Sequence, residues 1–256
     1  MHALNFRRIA PIEAISDFAD RVGLGEVEGY RRVALYGNNP SVTDTGDVWT
    51  GGGIYPWMTA ATSLEVVSDS ASDVGVVVLF QMLGASYNEL PTLIALNGTT
   101  PVALPGQFFR CNGAIVVTAG AGQSTNVGTI SLRDSAGGTV RAIIPAGRGT
   151  ARQSAYTVPA GYKLAIRGTH GAINRDTGAA GTKVATIASW VRPPSGGAVV
   201  LPAEQPATVA WSVHNYAVPA LLPEKTDTVL RVISTSHSGL DVTAGIMGYI
   251  KPNGSA

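Results

Sequence analysis

Four histidines, one cysteine and a sparse set of carboxylates are the groups in this 256-residue chain that could do chemistry. His2, His170, His214 and His237 lie far apart. No two have the His-x-x-x-His spacing that sets a pair of imidazoles on one helical face for zinc. His170, between Thr169 and Gly171, and His237, between Ser236 and Ser238, are expected in exposed turns. Asp44 with Asp47, and Asp69 with Asp73, offer oxygen ligands. They lack the alternating acid-x-acid-x-acid-Gly loop that calcium needs, so turn capping is their expected work. A glycosidase needs two carboxylates facing across a cleft, and Glu89, Glu204 and Glu224 sit near prolines and turn residues that suit loops. Ser236-His237-Ser238-Gly239 lacks the Gly-x-Ser-x-Gly elbow of a serine nucleophile. Gly23-Leu-Gly-Glu-Val-Glu-Gly29 lacks the preceding strand and the following Lys-Ser/Thr of a phosphate loop. The expectation is a protein that is not an enzyme, with no catalytic residues, no cofactor and no metal.

Composition narrows the class further. Charged residues are 14%, against about 25% in ordinary soluble proteins, while hydrophobic residues are 45%, with 31 Gly and 15 Pro. Such a chain suits a turn-rich all-β fold or a surface covered in an assembly, and it is too rich in β-branched residues for disorder. The net charge of +1 gives no general attraction to nucleic acid or to an anionic membrane. Cys111 stands alone, so no intrachain disulfide forms, and it is expected as a small apolar core residue. Arg7 and Arg8 followed by Glu13, Asp17 and Asp20 do not make a signal peptide. The apolar run at 74–83 is too short to span a bilayer as a helix. A soluble protein made in a reducing cytoplasm is expected.

The elements follow from periodicity. Ile12, Ile15, Phe18, Ala19 and Val22 recur at three- and four-residue spacing after Pro11 and before Gly23 and Gly25, which predicts one amphipathic helix over 11–22. Strands are expected at 63–68, 73–83, 92–96, 100–104, 114–119, 127–133, 139–144, 155–158, 162–167, 183–191, 226–234 and 240–250. Asn97-Gly98 predicts a hairpin between 92–96 and 100–104. Ile144-Pro-Ala-Gly147 and Val158-Pro-Ala-Gly161 are matching corners. A dozen short strands argue for an all-β fold with a β-sandwich or jelly-roll-like body over 59–256, in which 192–197 is a possible subdivision. Residues 1–58 then form an extended N-terminal arm carrying the helix.

The segment 38–57 joins the two. Pro40, Gly46, Gly51, Gly52, Gly53 and Pro56 forbid a continuous helix, yet the same window carries Trp49, Tyr55 and Trp57. Aromatic rings on an irregular segment dock it onto something, either the chain's own β-body or a neighbouring subunit. With Ile12, Ile15 and Phe18 of the helix, these three rings are the candidate interface residues.

Several motifs occur together: Asn38-Asn-Pro-Ser-Val-Thr-Asp44, Asp47-Val-Trp-Thr-Gly-Gly-Gly-Ile-Tyr-Pro-Trp57 and Leu64-Glu-Val-Val-Ser-Asp-Ser-Ala-Ser-Asp73. Tyr87-Asn-Glu89, Leu96-Asn-Gly-Thr-Thr100, Asn126-Val-Gly-Thr-Ile130 and Leu222-Pro-Glu-Lys-Thr-Asp227 follow. Over about 35–250 this set resembles uncharacterised virion structural proteins of tailed bacteriophages. The resemblance implies a virion component with a β-sandwich body, such as a capsid decoration, neck or tail protein, and it brings no catalytic residues.

The first functional expectation is therefore a non-enzymatic virion protein assembled in the host cytoplasm. Its partners are other copies of itself, as a trimer, and major capsid or head-tail proteins, with no membrane and no specific nucleic acid. The second is a carbohydrate- or receptor-binding adhesin, with Trp190, Trp211 and Tyr216 as an aromatic platform. Trp190 alternates with Lys183, Ala185, Ile187 and Ser189 and also fits a core face. The third is an enzyme such as a depolymerase, which needs two carboxylates, or a serine and a histidine, to meet in space.

Overall fold

In the computed structural model, residues 18, 21–120, 122–175, 183–197, 199–200, 205–208 and 211–254 are described. The first strands are β1 (Arg31–Ala34), β2 (Gly37–Val42), β3 (Gly46–Asp47), β4 (Leu64–Ser68), β5 (Val74–Leu83) and β6 (Glu89–Asn97). Next come β7 (Val102–Ala103), β8 (Arg110–Thr118), β9 (Ile130–Asp134), β10 (Val140–Ile144), β11 (Tyr156–Thr157) and β12 (Tyr162–Arg175). The last are β13 (Ala185–Arg192), β14 (Val199–Val200), β15 (Gln205–Ala207), β16 (Ser212–Leu222), β17 (Asp227–Thr235) and β18 (Leu240–Pro252). The all-β class holds. A helical turn is present at Arg21–Gly23 and Gly25, at φ +77°, follows it. Ile12 and Ile15 lie outside the described residues.

The strands make four antiparallel sheets. One runs β1-β18-β12-β16 with β2 also on β18, and a second runs β11-β17-β13-β14 with β3 and β15 attached. Val33, Val42, Leu164, Ile166, Ile187, Leu230, Val242 and Ile246 bury one common core between these two sheets. The other two sheets, β10-β9-β4-β7 and β6-β5-β8, enclose a separate core of Leu64, Val66, Val78, Phe80, Phe108, Cys111, Leu132 and Ile144. Each fully buried Leu, Ile or Phe contributes about 1.5–3 kcal/mol, so each body has its own driving force. Cys111 is the expected core residue, and burial pushes its thiol up to about 12.

Strand pairing runs across the expected division at residue 58. From Arg31 the presumed arm belongs to the body. β1 pairs Arg31–Ala34 with Ile250–Met247, and β2 continues along the same edge of β18 from Gly37–Ala244 to Val42–Leu240. The cause is the length of β18, whose second edge needs partners for its amides and carbonyls. Pro40 is tolerated because β2 is an edge strand and its register shifts between Leu240 and Val242. Within 59–256 the buried apolar residues fall into two main clusters. The outer body draws on the described residues of 31–49 and 153–254, and the inserted body on those of 58–151. The stretch 192–197 is the turn between β13 and β14, inside the outer body.

The Asn97-Gly98 turn forms, with Thr100 N–H donating to Asn97 C=O at 3.0 Å and Gly98 at φ +56°. The returning strand β7 pairs with β4 instead of β6. Leu104 buries against the inserted core there, so packing carries the chain into the opposite sheet. The expected strand at 162–167 is the first half of the 14-residue β12.

Candidate functional site

The 46–57 segment lies at the seam between the two bodies. Asp47, fully buried, is paired through β3 to Arg231 of β17. Its carboxylate accepts from Tyr55 N at 2.7 Å and from Arg231 Nε and Nη2 at 2.5 and 3.1 Å. Its amide donates to Gly53 O at 2.8 Å. These bonds close a loop around Trp49. A Cβ on Gly51 would fall 2.1 Å from the Trp49 ring, and Gly52 and Gly53 occupy left-handed φ values of +69° and +60°. The glycine run is what lets backbone pass so close to an indole.

Trp49 meets Tyr55 edge-on at 5.2 Å, and Tyr55 meets Trp57 at 4.7 Å. The cluster includes Ala155, Val229 and Trp190 from the outer body and Val140 and Ile143 from the inserted one. The Tyr55 hydroxyl donates to Arg141 O at 2.8 Å, and burial raises the phenol's pKa well above its usual value. Arg141 donates to Pro56 O and pairs with Asp134 at 2.6 Å.

A buried ion pair crosses the same seam. Arg110 of β8 donates through Nε and Nη2 to Asp227 of β17, both at 2.9 Å, with 4% and 5% of the two side chains exposed. Arg110 Nη1 donates to Met58 O and Phe109 O. Asp227 also accepts from Thr157 Oγ1 at 2.6 Å and from Arg192 Nη2 at 2.5 Å. Asn112 and Thr157 exchange two 2.8 Å bonds beside them. The Trp57 ring has the Arg110 and Arg192 guanidinium carbons at 5.4 and 5.5 Å, within cation–π range. At the rim, Arg31 of β1 pairs with Glu89 of β6 at 2.7 Å; Glu89 therefore opens a strand, where a loop was expected.

Two adjoining surface hollows share Arg192 and Asp227. One, of about 220 Å³, is lined by Ile54, Trp57, Trp190 and Arg231. The other, of about 260 Å³, is lined by Tyr87, Phe109, Arg110, Pro193 and Lys225. Their chemistry is electrostatic and apolar anchoring.

The predicted residues separate accordingly. Trp49 and Tyr55, two of the expected interface rings, are 5% and 4% exposed and pack within their own chain. Trp57 is half-buried and borders a hollow. Phe18 is partly exposed, edge-on to Tyr30 at 5.5 Å and Tyr249 at 5.8 Å. Trp190 packs at the seam under Arg231, 4.1 Å from its ring, on the face of β13 opposite buried Ile187 and Val191. Trp211 is exposed on the outer body, and Tyr216 packs against that body's core, so the three do not form one platform.

His170 is not in an exposed turn. It lies in β12, 7% exposed, stacked between Trp211 at 4.6 Å and Tyr36 at 6.0 Å. Among the described residues neither ring nitrogen has a hydrogen-bond partner, and burial lowers its pKa. β12 continues past residue 167 and carries the side chain under Trp211. Asp69 and Asp73 do bind loop amides, Thr129 N at 2.7 Å and Val127 N at 2.7 Å. Among the described residues no three of His, Cys, Asp and Glu gather to hold a metal ion. Arg110, Arg192 and Asp227 were missed because 117 positions separate the first from the last, and no local motif marks them.

The sequence matches no protein-family model and no curated protein. Two solved structures of infectious bursal disease virus show a slight likeness. The Gt strain is 13% identical at a TM-score of 0.26, over 90% of this chain and 74% of that one. The Gx strain is 12% identical at 0.27, over 89% and 73%. Scores this low relate neither fold nor function.

Proposed function

We propose that this chain is a non-enzymatic structural component of a tailed-phage virion. It assembles as a homo-oligomer, a trimer on the sequence expectation, on the capsid or head-tail region after synthesis in the host cytoplasm. The observation that carries the reading is the seam, where buried charges and stacked aromatics hold two β-bodies together while Trp57, Trp190 and Ile54 border the surface. Aromatic and arginine side chains at a surface are the usual energetic centres of interfaces. The motif resemblance of 38–57 and the later segments supports the same class. Mass spectrometry of purified virions, with the chain located in a particle reconstruction, tests it; particles that lack the chain refute it.

A second reading, a glycan- or receptor-binding adhesin, has one observation in its favour: Trp211 is 55% exposed and held flat by His170 beneath it. A glycan-array signal lost on Trp211→Ala supports it, and silence at millimolar glycan refutes it.

A further inference from the structure

We infer that the paired hollows at the seam receive the Leu24–Glu28 loop of a second copy of this chain. The inference rests on the assembly reading and names the surfaces that carry it.

The hollow around Tyr87 and Phe109 is lined by three cations, Arg110, Arg192 and Lys225, against one carboxylate, Asp227, an excess of two positive charges. Its neighbour offers Ile54, 54% exposed, beside the half-buried Trp57 and Trp190. The complement is a carboxylate close to an apolar side chain. Among the described residues the carboxylates divide sharply. Glu26 pairs with Arg21, Glu65 with Arg133, Glu89 with Arg31 and Asp134 with Arg141. Asp47, Asp69, Asp73, Glu224, Asp227 and Asp241 accept hydrogen bonds. Glu28 and Asp44 alone have neither. Asp44 stands between Thr43 and Thr45, with no apolar neighbour to fill the second hollow. Glu28 follows Leu24, which is 73% exposed, in a short ordered loop. Bonds from Gly25 N to Val22 O, Glu26 N to Arg21 O and Tyr30 N to Val27 O hold that loop. Preorganisation of this kind lowers the entropy cost of docking.

A loop on one copy entering a hollow on the next is a heterologous contact, which closes into a ring when the rotation permits. Lys225 and Glu28 are the rim charges that set partner choice, and placing like charges there opposes docking.

Sedimentation equilibrium of the full chain at low salt, with Glu28→Lys, Lys225→Glu and the double variant, tests the pairing. Each single reversal is expected to weaken self-association about tenfold or more, and the double to restore it. Unchanged melting temperatures keep a folding defect from mimicking the result. Self-association that is equally strong in all four proteins overturns the docking site while leaving the virion assignment standing. A double variant weaker than either single overturns the pairing. A wild-type chain that stays monomeric overturns both the docking and self-assembly, and virion mass spectrometry then decides the assignment separately.

Discussion

Replacing Arg110 with methionine removes one side of the ion pair that crosses the seam. Asp227, 4% exposed, then loses two 2.9 Å bonds and keeps those from Thr157 and Arg192. Met58 O and Phe109 O lose their donor as well. Stranding a buried charge completely costs about 3–5 kcal/mol, and because Arg192 and Thr157 still meet Asp227 the expected cost is at the low end, about 3 kcal/mol. Asp227→Leu has the converse effect, leaving the Arg110 guanidinium buried without its carboxylate. The double variant Arg110→Met with Asp227→Leu strands neither charge, since Arg192, 42% exposed, can turn to solvent. Its cost is expected to fall below the sum of the singles by about 2–3 kcal/mol. Urea unfolding read by tryptophan fluorescence and by far-ultraviolet circular dichroism measures all three. Three of the four tryptophans, Trp49, Trp57 and Trp190, lie at the seam, so fluorescence reports it directly. In the single variants the fluorescence change is expected to precede loss of strand signal, because each body keeps its own core. A cost below about 1 kcal/mol for Arg110→Met, or strictly additive variants, would refute the seam as the element that couples the bodies.

Tyr55→Phe removes the bond to Arg141 O and is expected to cost about 1 kcal/mol in urea unfolding. Gly51→Ala drives a methyl into the Trp49 ring and is expected to cost about 1–3 kcal/mol with an altered fluorescence maximum. Cys111 titrates near 9 when unfolded and about 12 when folded, so the unfolded chain releases its proton first. Stability is therefore expected to fall as pH rises above 9, less so in Cys111→Ala, and a flat profile in both to pH 11 contradicts this. Burial holds His170 below its usual 6.5, so the unfolded chain takes up the proton first on acidification. Stability is expected to fall as pH drops below 6.5, and His170→Phe is expected to lose that component.

Strands with a strong local pattern were legible in the sequence. Leu64, Val66 and Ser68 alternate inward, as do Leu240, Val242, Ala244 and Ile246. β2 was illegible because Asn38-Asn-Pro-Ser has little strand propensity, and β1 because its four residues, Arg31-Arg-Val-Ala, are too few to show a period; the edge of β18 imposes both conformations. β16 was missed because its apolar residues, Val213, Val218 and Leu221, point largely to solvent and break the alternation. The aromatic anchor was legible as a docking segment, but its target was not. Intramolecular and intermolecular docking use the same residue types, and the surface that receives Trp49 is assembled from positions more than 80 residues away, such as Val140, Ala155 and Val229.

The chain leaves the outer body at Trp49 and rejoins it at Gln153, and those two residues are bridged, with Thr50 N donating to Arg152 O at 3.0 Å. Exit and re-entry therefore lie side by side. Everything between them enters and leaves the outer body through one bridged pair of residues, like a stone in a two-pronged setting. Such a segment can be shortened, lengthened or exchanged in a lineage without moving the ends of the host sheets. The seam then acts as the filter on what can be exchanged, because a replacement must still present a guanidinium to Asp227 and an apolar face to Ala155 and Val229.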